Sequence, residues 1–325
     1  MDLRQLHAIV AIAEHGSFSA AAEALQTVQS NVSTHVKKLE QELGTDLVDR
    51  SSGALTDAGE LVVARARRVM GEIDALSADV SALRDEVSGV VRVGVIGTAA
   101  RWLVPPLVEL VPERYPHLRL VIMEATTAGL GDQLASGQVD IGVLGLPAAG
   151  GDLRTMPLFE EDLVLVLPKS HPLAIAPLVR LTDLPGLPLL LPLRGVAYRD
   201  ELDAVTAAHR VQLTPRVEMD SIRLISGLTF DGCGYAILPS GAVSERRSQE
   251  WALVPVEGLA PRLVGVAQRR RGLPSAPVRA VLQLLQDIVG DGTRTPRGIR
   301  PVAFDLARFG APEADGSNRR VRALS

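Results

Sequence analysis

One cysteine, Cys233, stands among 325 residues. A single thiol excludes a disulfide framework within the chain and fits a reducing compartment. Between two glycines and ahead of an apolar strand, it reads as a small buried hydrophobe. Long apolar runs are missing as well: no uninterrupted stretch reaches the ~18 residues that span a bilayer. The opening MDLRQLHAIVAIAEHGSFS carries an acid at once and polar residues throughout, so it does not read as a signal peptide. The expectation is a cytoplasmic protein with no membrane partner. Catalytic signatures are equally scarce. Gly94-x-x-Gly97 falls short of the dinucleotide fingerprint, and neither a GxxxxGKS/T phosphate loop nor a GxSxG elbow occurs. His7, His15, His35, His117, His171 and His209 are scattered without metal-ligand spacing. An enzyme is not expected, nor is a resident cofactor or metal.

Basic charge is also short. The chain is −4 overall, and its first sixty residues set four basic side chains (Arg4, Lys37, Lys38, Arg50) against nine acidic ones, a balance of −5. Phosphate contact supplies most non-specific DNA affinity. A DNA-binding role for this segment therefore rests on a local basic face, and Lys37, Lys38 and His35 do cluster.

What is present falls into four stretches. To about Thr56 the chain reads as short helices. Leu3, Leu6, Val10 and Ala13 recur at helical spacing until His15-Gly16. Ser19 is placed to cap an alanine-rich helix, Ala20 to Leu25. After Gln26-Thr27, a third helix puts Val28, Val32, Val36, Leu39 and Leu43 on one face, with Gly44 as its C-terminal cap. Two helices joined by so short a turn form a helix-turn-helix pattern. From about Asp57 a long helix carries Val62, Ala66, Val69, Ile73, Leu76, Val80, Leu83 and Val87, alternating 4 and 3 residues apart. That is a coiled-coil seam, and a seam needs a partner helix. From Gly89 to about Asp291, strands alternate with helices, as βαβ units of parallel sheet do. They form two lobes of similar size, with a cleft where open α/β sheets place ligands. From Gly292 onward, seven arginines without periodicity read as a disordered basic tail.

The segment to Glu60 resembles the N-terminal region of LysR-type transcriptional regulators. The resemblance is carried by LRQL, the Gly16-Ser17-Phe18 corner, Ala21-Ala22, Gln29, Ser33, Leu39-Glu40, Glu42-Leu43-Gly44, Leu47, Arg50, Leu55-Thr56 and Gly59. Pro106 to Pro116 and GYAILP extend it more loosely, to about residue 290. It implies an all-α winged helix-turn-helix plus a long linker helix, then a two-lobed α/β effector domain like type 2 periplasmic binding proteins. It further implies tetramers that bind palindrome-like operators and respond to a small molecule. The organisation expected is a DNA-binding domain over 1–57 and a dimerising linker helix over 58–88. An effector domain follows over 89–291 (lobe I 89–162 and 264–291, lobe II 163–263), then a tail over 292–325. Ser30, Thr34 and Val48 depart from the proline, arginine and phenylalanine frequent in the family. The wing around Ser51-Ser52-Gly53 is about two residues short.

Gln29, Ser30, Asn31, Ser33, Thr34, Lys37 and Lys38 fall off the apolar face of the third helix, and with Ser19 and Arg50 make the candidate DNA contacts. Gln29 and Asn31 suit adenine edges, Ser33 and Thr34 a phosphate or a base, and the lysines phosphate. The plain alternative is a solvated helix face. For the effector, Thr98 and Ala99 follow Gly97 at a helix start whose amides favour an anion. Thr126 and Thr127 end a strand, Ser221 begins a helix, and Arg194 suits a carboxylate. Each equally suits a cap or surface role. The competing class is a cytoplasmic small-molecule-binding protein or enzyme whose N-terminal helices serve assembly only.

Overall fold

The computed structural model describes residues 1–84, 86–148, 152–243, 248–270, 272–303 and 309. Its N-terminal unit is built from α1 (Leu3–His15), α2 (Phe18–Ala24) and α3 (Gln29–Leu43). Asp2 and Gln5 cap α1 reciprocally, and Gly16 ends it in the left-handed region at φ 74°. Ser17, not Ser19, caps α2: its hydroxyl accepts from the Ala20 amide, leaving Ser19 inside the helix. Gly44 ends α3 at φ 71°, as its position predicts. Val32, Val36 and Leu39 are buried beneath α1, but Val28 and Leu43 lie outside that face. Val28 is the residue before the first turn, and Leu43 the last of the helix, where the stripe has rotated away.

The wing is a single antiparallel bridge, Val48 to Leu55, closed by a turn with Gly53 at φ 75°. Thr56 then caps α4 (Asp57–Ala82), accepting from Gly59. The linker helix thus starts a residue before its expected 58 and stops well short of 88. Val62, Val63 and Ala66 pack into the N-terminal core, so Val62 and Ala66 are not part of a seam. Val87 lies beyond the helix, against the next domain's core. What remains of the seam is Val69, Ile73, Leu76, Val80 and Leu83, each 41–86% exposed in the single chain. Ala78 and Asp79 turn the other way. Asp79 accepts from the Ala276 amide, and Arg68 reaches the Ala135 carbonyl.

The remaining elements are β1 (Ser88–Val95), α5 (Gly97–Arg114), β2 (His117–Glu124), α6 (Thr127–Ser136), β3 (Ile141–Leu146), β4 (Leu153–Glu161), β5 (Leu163–Pro168), β6 (Leu189–Pro192), α7 (Ala197–Ala208), β7 (Pro215–Met219), α8 (Ile222–Phe230), β8 (Ala236–Pro239), β9 (Trp251–Pro255), β10 (Arg262–Arg269), α9 (Ala276–Gly290) and β11 (Ile299–Pro301). Lobe I holds a six-stranded sheet in the order β11-β4-β10-β3-β1-β2. Its β1, β2 and β3 are parallel, as the alternation of strand and helix predicts; β10 and β11 run antiparallel to their neighbours. Lobe II holds β8-β5-β9, antiparallel, and the parallel pair β6-β7. A bridge from Leu189 to Tyr235 joins them. The chain enters lobe II after Glu161 and re-enters lobe I at Arg262, two residues before the expected 264.

The expected tail starts as structure. β11 adds to the edge of β4, and the Gly298 carbonyl accepts from the Asp162 amide and the Ser240 hydroxyl. Arg300 donates to Asp162 at 2.8 Å, and Phe309 is wholly buried in the lobe I core. A three-residue strand that ends in proline has no periodicity to betray it. Residues 304–308 and 310–325, on which the rest of the expected disorder falls, lie outside the described residues.

Gly59 joins the N-terminal unit to the linker helix by close approach. A Cβ there would fall 2.0 Å from the Leu47 backbone oxygen, in the strand-like arm of the wing. Gly59→Ala is expected to cost about 1–3 kcal/mol, the usual penalty for overpacking. Chemical denaturation of the full chain followed by circular dichroism reads this; an unchanged midpoint would contradict the contact.

Candidate nucleic-acid interface and ligand cleft

α3 presents Gln29, Ser30, Asn31, Thr34, Lys37 and Lys38 to solvent, with Ser33 half-buried. Its apolar residues Val32, Val36 and Leu39 hold the opposite side. Ser19 is exposed on α2. Within the outward face, Thr34 donates to the Ser30 carbonyl at 2.7 Å and Asn31 Nδ2 to Thr27 Oγ1 at 3.0 Å. These bonds leave the Asn31 side-chain oxygen as an outward acceptor. Side chains cap α1, α2 and α4, but none caps α3. Its first amides carry the positive end of the helix dipole, the arrangement that suits a phosphate.

Arg50 is held differently from the other candidates. Its guanidinium donates to Glu40 at 2.7 Å and sits 5.5 Å from the centre of the Phe18 ring. Glu40 is buried, and its other oxygen accepts from the Leu47 and Val48 amides. One carboxylate thus ties α3 to the wing and orders Arg50 at the corner. A buried charge persists only where it is paired and hydrogen-bonded, and Glu40 meets both conditions. Sequence reasoning left Glu40 within a family pattern without a role. A lone acid near the end of an amphipathic helix gives no sign of the turn it will cap.

In the second domain the register pairs Val95 with Glu124, so the first two βα junctions lie side by side. Thr98 and Ala99 are buried in the first turn of α5, and Thr98 Oγ1 has no hydrogen-bond partner among the described residues. Thr126 caps α6 through the Gly129 amide, and Thr127 accepts from the Gly145 amide. Ser221 caps α8 through the Leu224 amide. Arg194 is 79% exposed and 3.8 Å from Asp203, a carboxylate that the buried Arg199 also holds. Thr98, Ala99, Thr126 and Thr127 are therefore gathered at lobe I strand ends, whereas Arg194 belongs to a surface ion pair.

Two further features escaped the sequence. Glu124, at the end of β2, pairs with Arg223 of α8 across the lobes at 3.4 Å. Behind it, Glu161 lies fully buried 3.6 Å from Arg262, with neither carboxylate oxygen hydrogen-bonded to a side chain; burial pushes its carboxyl above the usual carboxylate range. Cys233 is exposed in the turn after α8, not buried as its setting suggests. A cavity of about 360 Å³ lies between α4 and lobe I, lined by Glu72, Asp74, Arg92, Asp140 and Arg269 among others. It mixes charges of both signs and touches none of the cleft residues named above.

Residues 3–60 match the model of the bacterial regulatory helix-turn-helix protein, lysR family, and residues 84–289 match the LysR substrate binding domain. The chain belongs to the LysR family of transcriptional regulators. A probable hydrogen peroxide-inducible genes activator from Streptomyces viridosporus is 33% identical, over 89% of this regulator and 95% of the relative. The DNA-binding transcriptional dual regulator OxyR of Escherichia coli K12 is 30% identical over the same shares. Among solved structures, a full-length OxyR variant from Pseudomonas aeruginosa superposes with a TM-score of 0.74 at 28% identity, covering 94% of this regulator and 99% of that chain. Full-length CbnR in complex with its target DNA has the same fold, with a TM-score of 0.63 at 22% identity, over 88% and 99%. The family favours DNA binding over helices that serve assembly only.

For this regulator the Glu40 contacts yield a stability expectation. Glu40→Ala leaves two wing amides and Arg50 without their acceptor, so it should cost roughly 2–4 kcal/mol. Thermal melts of the full chain check this, with a lower midpoint expected. A melt indistinguishable from the parent would remove Glu40 from the interface's framework.

Proposed function

We propose that this regulator binds double-stranded operator DNA with the outward face of α3, as a homodimer paired through α4, under control of a small molecule held between the effector lobes. The observation that carries the DNA reading is the exposed polar face of α3 beginning at an uncapped helix start. Gln29 and Asn31 read adenine edges, while Ser30, Ser33, Thr34 and Ser19 reach phosphates or bases. Lys37 and Lys38 neutralise phosphate. Val28, 59% exposed at the head of the helix, suits a thymine methyl, a role its place in the apolar stripe concealed. Arg50 acts first as the brace between Glu40 and Phe18.

The exposed Val69-to-Leu83 stripe supports the dimer, since a monomer would leave five large apolar groups in water on one helix. A homotetramer follows the family's habit. The effector is a small organic molecule near Thr98, Ala99, Thr126 and Thr127, with Ser221 on the facing lobe. Arg194 is set aside because Asp203 already engages it. No cofactor or catalysis is invoked, and the protein works in the cytoplasm, where DNA is. Relatives carry hydrogen peroxide in their names; one cysteine per chain closes activation by an intramolecular disulfide to this protein.

Footprinting and salt titration on the DNA upstream of the chain's own gene test the assignment. Gln29→Ala should cost about 1–3 kcal/mol, concentrated at one base pair. Lys37→Ala should weaken all sequences alike and reduce the salt slope by about 1. Equal losses on operator and random DNA for Gln29→Ala, or an unchanged slope for Lys37→Ala, would refute these roles. Leu76→Glu places a charge in the α4 stripe, and sedimentation should show a shift towards monomer together with loss of operator binding; a dimer of parental strength would refute the seam.

A further inference from the structure

The start of α5 is where an anion would be expected in the cleft, because its amides and helix dipole favour negative charge. In this chain the protein supplies that charge itself. Gly97 opens α5, and a Cβ built on it would lie 2.7 Å from Glu124 Oε1. The missing side chain is what admits the carboxylate. The other oxygen, Oε2, faces Arg223 of lobe II at 3.4 Å. Glu124 thus lays its negative charge against the helix start of lobe I and pairs with a cation of lobe II. Beside it, Thr98 Oγ1 is buried without a partner, a hydroxyl able both to donate and to accept.

We propose that Glu124 is a built-in anion that sets the charge selectivity of the cleft: it refuses negatively charged effectors and selects an uncharged or cationic small molecule with hydrogen-bonding groups. An incoming carboxylate or phosphate meets the repulsion of Glu124 beside the helix start and has to compete with it for Arg223. An uncharged molecule meets no such barrier, and the Thr98 hydroxyl beneath is still without a partner among the described residues. A cation finds Glu124 as its partner, at the expense of the bridge between the lobes. The inference rests on the reading that the effector binds between the lobes, and it departs from the expectation of an anion drawn from the helix start alone.

The test uses the full chain and inorganic sulfate as the probe, at ionic strength matched with chloride, by calorimetric titration. Glu124→Gln keeps the shape and removes the charge. The parent should bind sulfate at least tenfold more weakly than Glu124→Gln, and adding Arg223→Ala to Glu124→Gln should cancel the gain. Circular dichroism spectra of the three proteins should coincide, so that the comparison reads the cleft and not folding. Parent binding as tight as that of Glu124→Gln, no gain in Glu124→Gln, or a gain that survives Arg223→Ala would each overturn the proposal. Gel shifts of the parent with its own upstream DNA run beside these titrations. Failure to bind that DNA specifically would defeat the regulatory reading while leaving the sulfate comparison, which needs no DNA, to be decided alone.

Discussion

A 26-residue helix has to satisfy three surroundings at once, and most of the architecture follows from how α4 divides its surface. Its first turns give Val63 and Ala66 to the N-terminal core, fixed by the contact of Gly59 with the wing. Its last turns give Ala78 and Asp79 to lobe I. The face between carries Val69, Ile73, Leu76, Val80 and Leu83 outward. Both ends of the helix are thereby committed to packed neighbours, one in the N-terminal unit and one in lobe I. Apolar burial against a second helix would give α4 a fixed direction relative to a second DNA-binding unit.

The effector domain has its own point of dependence, where the chain crosses between lobes. Glu161, Arg262, Ser240 and the Gly298 carbonyl meet there, and Arg300 of β11 is tied to the crossing through Asp162. A buried carboxylate facing a guanidinium at 3.6 Å is weakly partnered for its burial, which makes this crossing a costly place for a charge. The Glu124–Arg223 pair sits on the same interface. It is partly exposed, and such pairs contribute little stability. Its significance is selectivity between charges, which needs far less energy than folding does.

Several elements were legible because their physics is local. Gly16 and Gly44 end helices by adopting positive φ, and the alternation of apolar residues with helical spacing exposes α1, α3, α5 and α9 without reference to anything distant. Errors arose where two local solutions compete. Ser17 and Ser19 both suit a cap, and only the packing of Phe18 against the helix-turn-helix core selects the first. Ala66 continues the 4-3 spacing yet packs into a different core, because periodicity marks a face without saying what covers it. β4, β9 and β11 went unread: the first lies in an irregular stretch, and the others are short edge strands held by their neighbours. Of the candidate contacts, the α3 face was readable as the polar complement of a valine-leucine stripe. Glu40, Glu124 and Arg223 were not, since each acts through a residue remote from its own helix or strand.

The sequence by itself determined the helix-turn-helix, the long linker helix with its apolar stripe, the alternating α/β effector domain and the limit of one thiol. All of these rest on spacing, capping chemistry or composition, which act over a few residues. Only the tertiary structure decided that Arg50 is braced by Glu40, that β11 clasps the lobe crossing, and that Glu124 lies against the start of α5. Those outcomes depend on side chains brought together from distant segments, where burial and electrostatics, not local propensity, choose the partner.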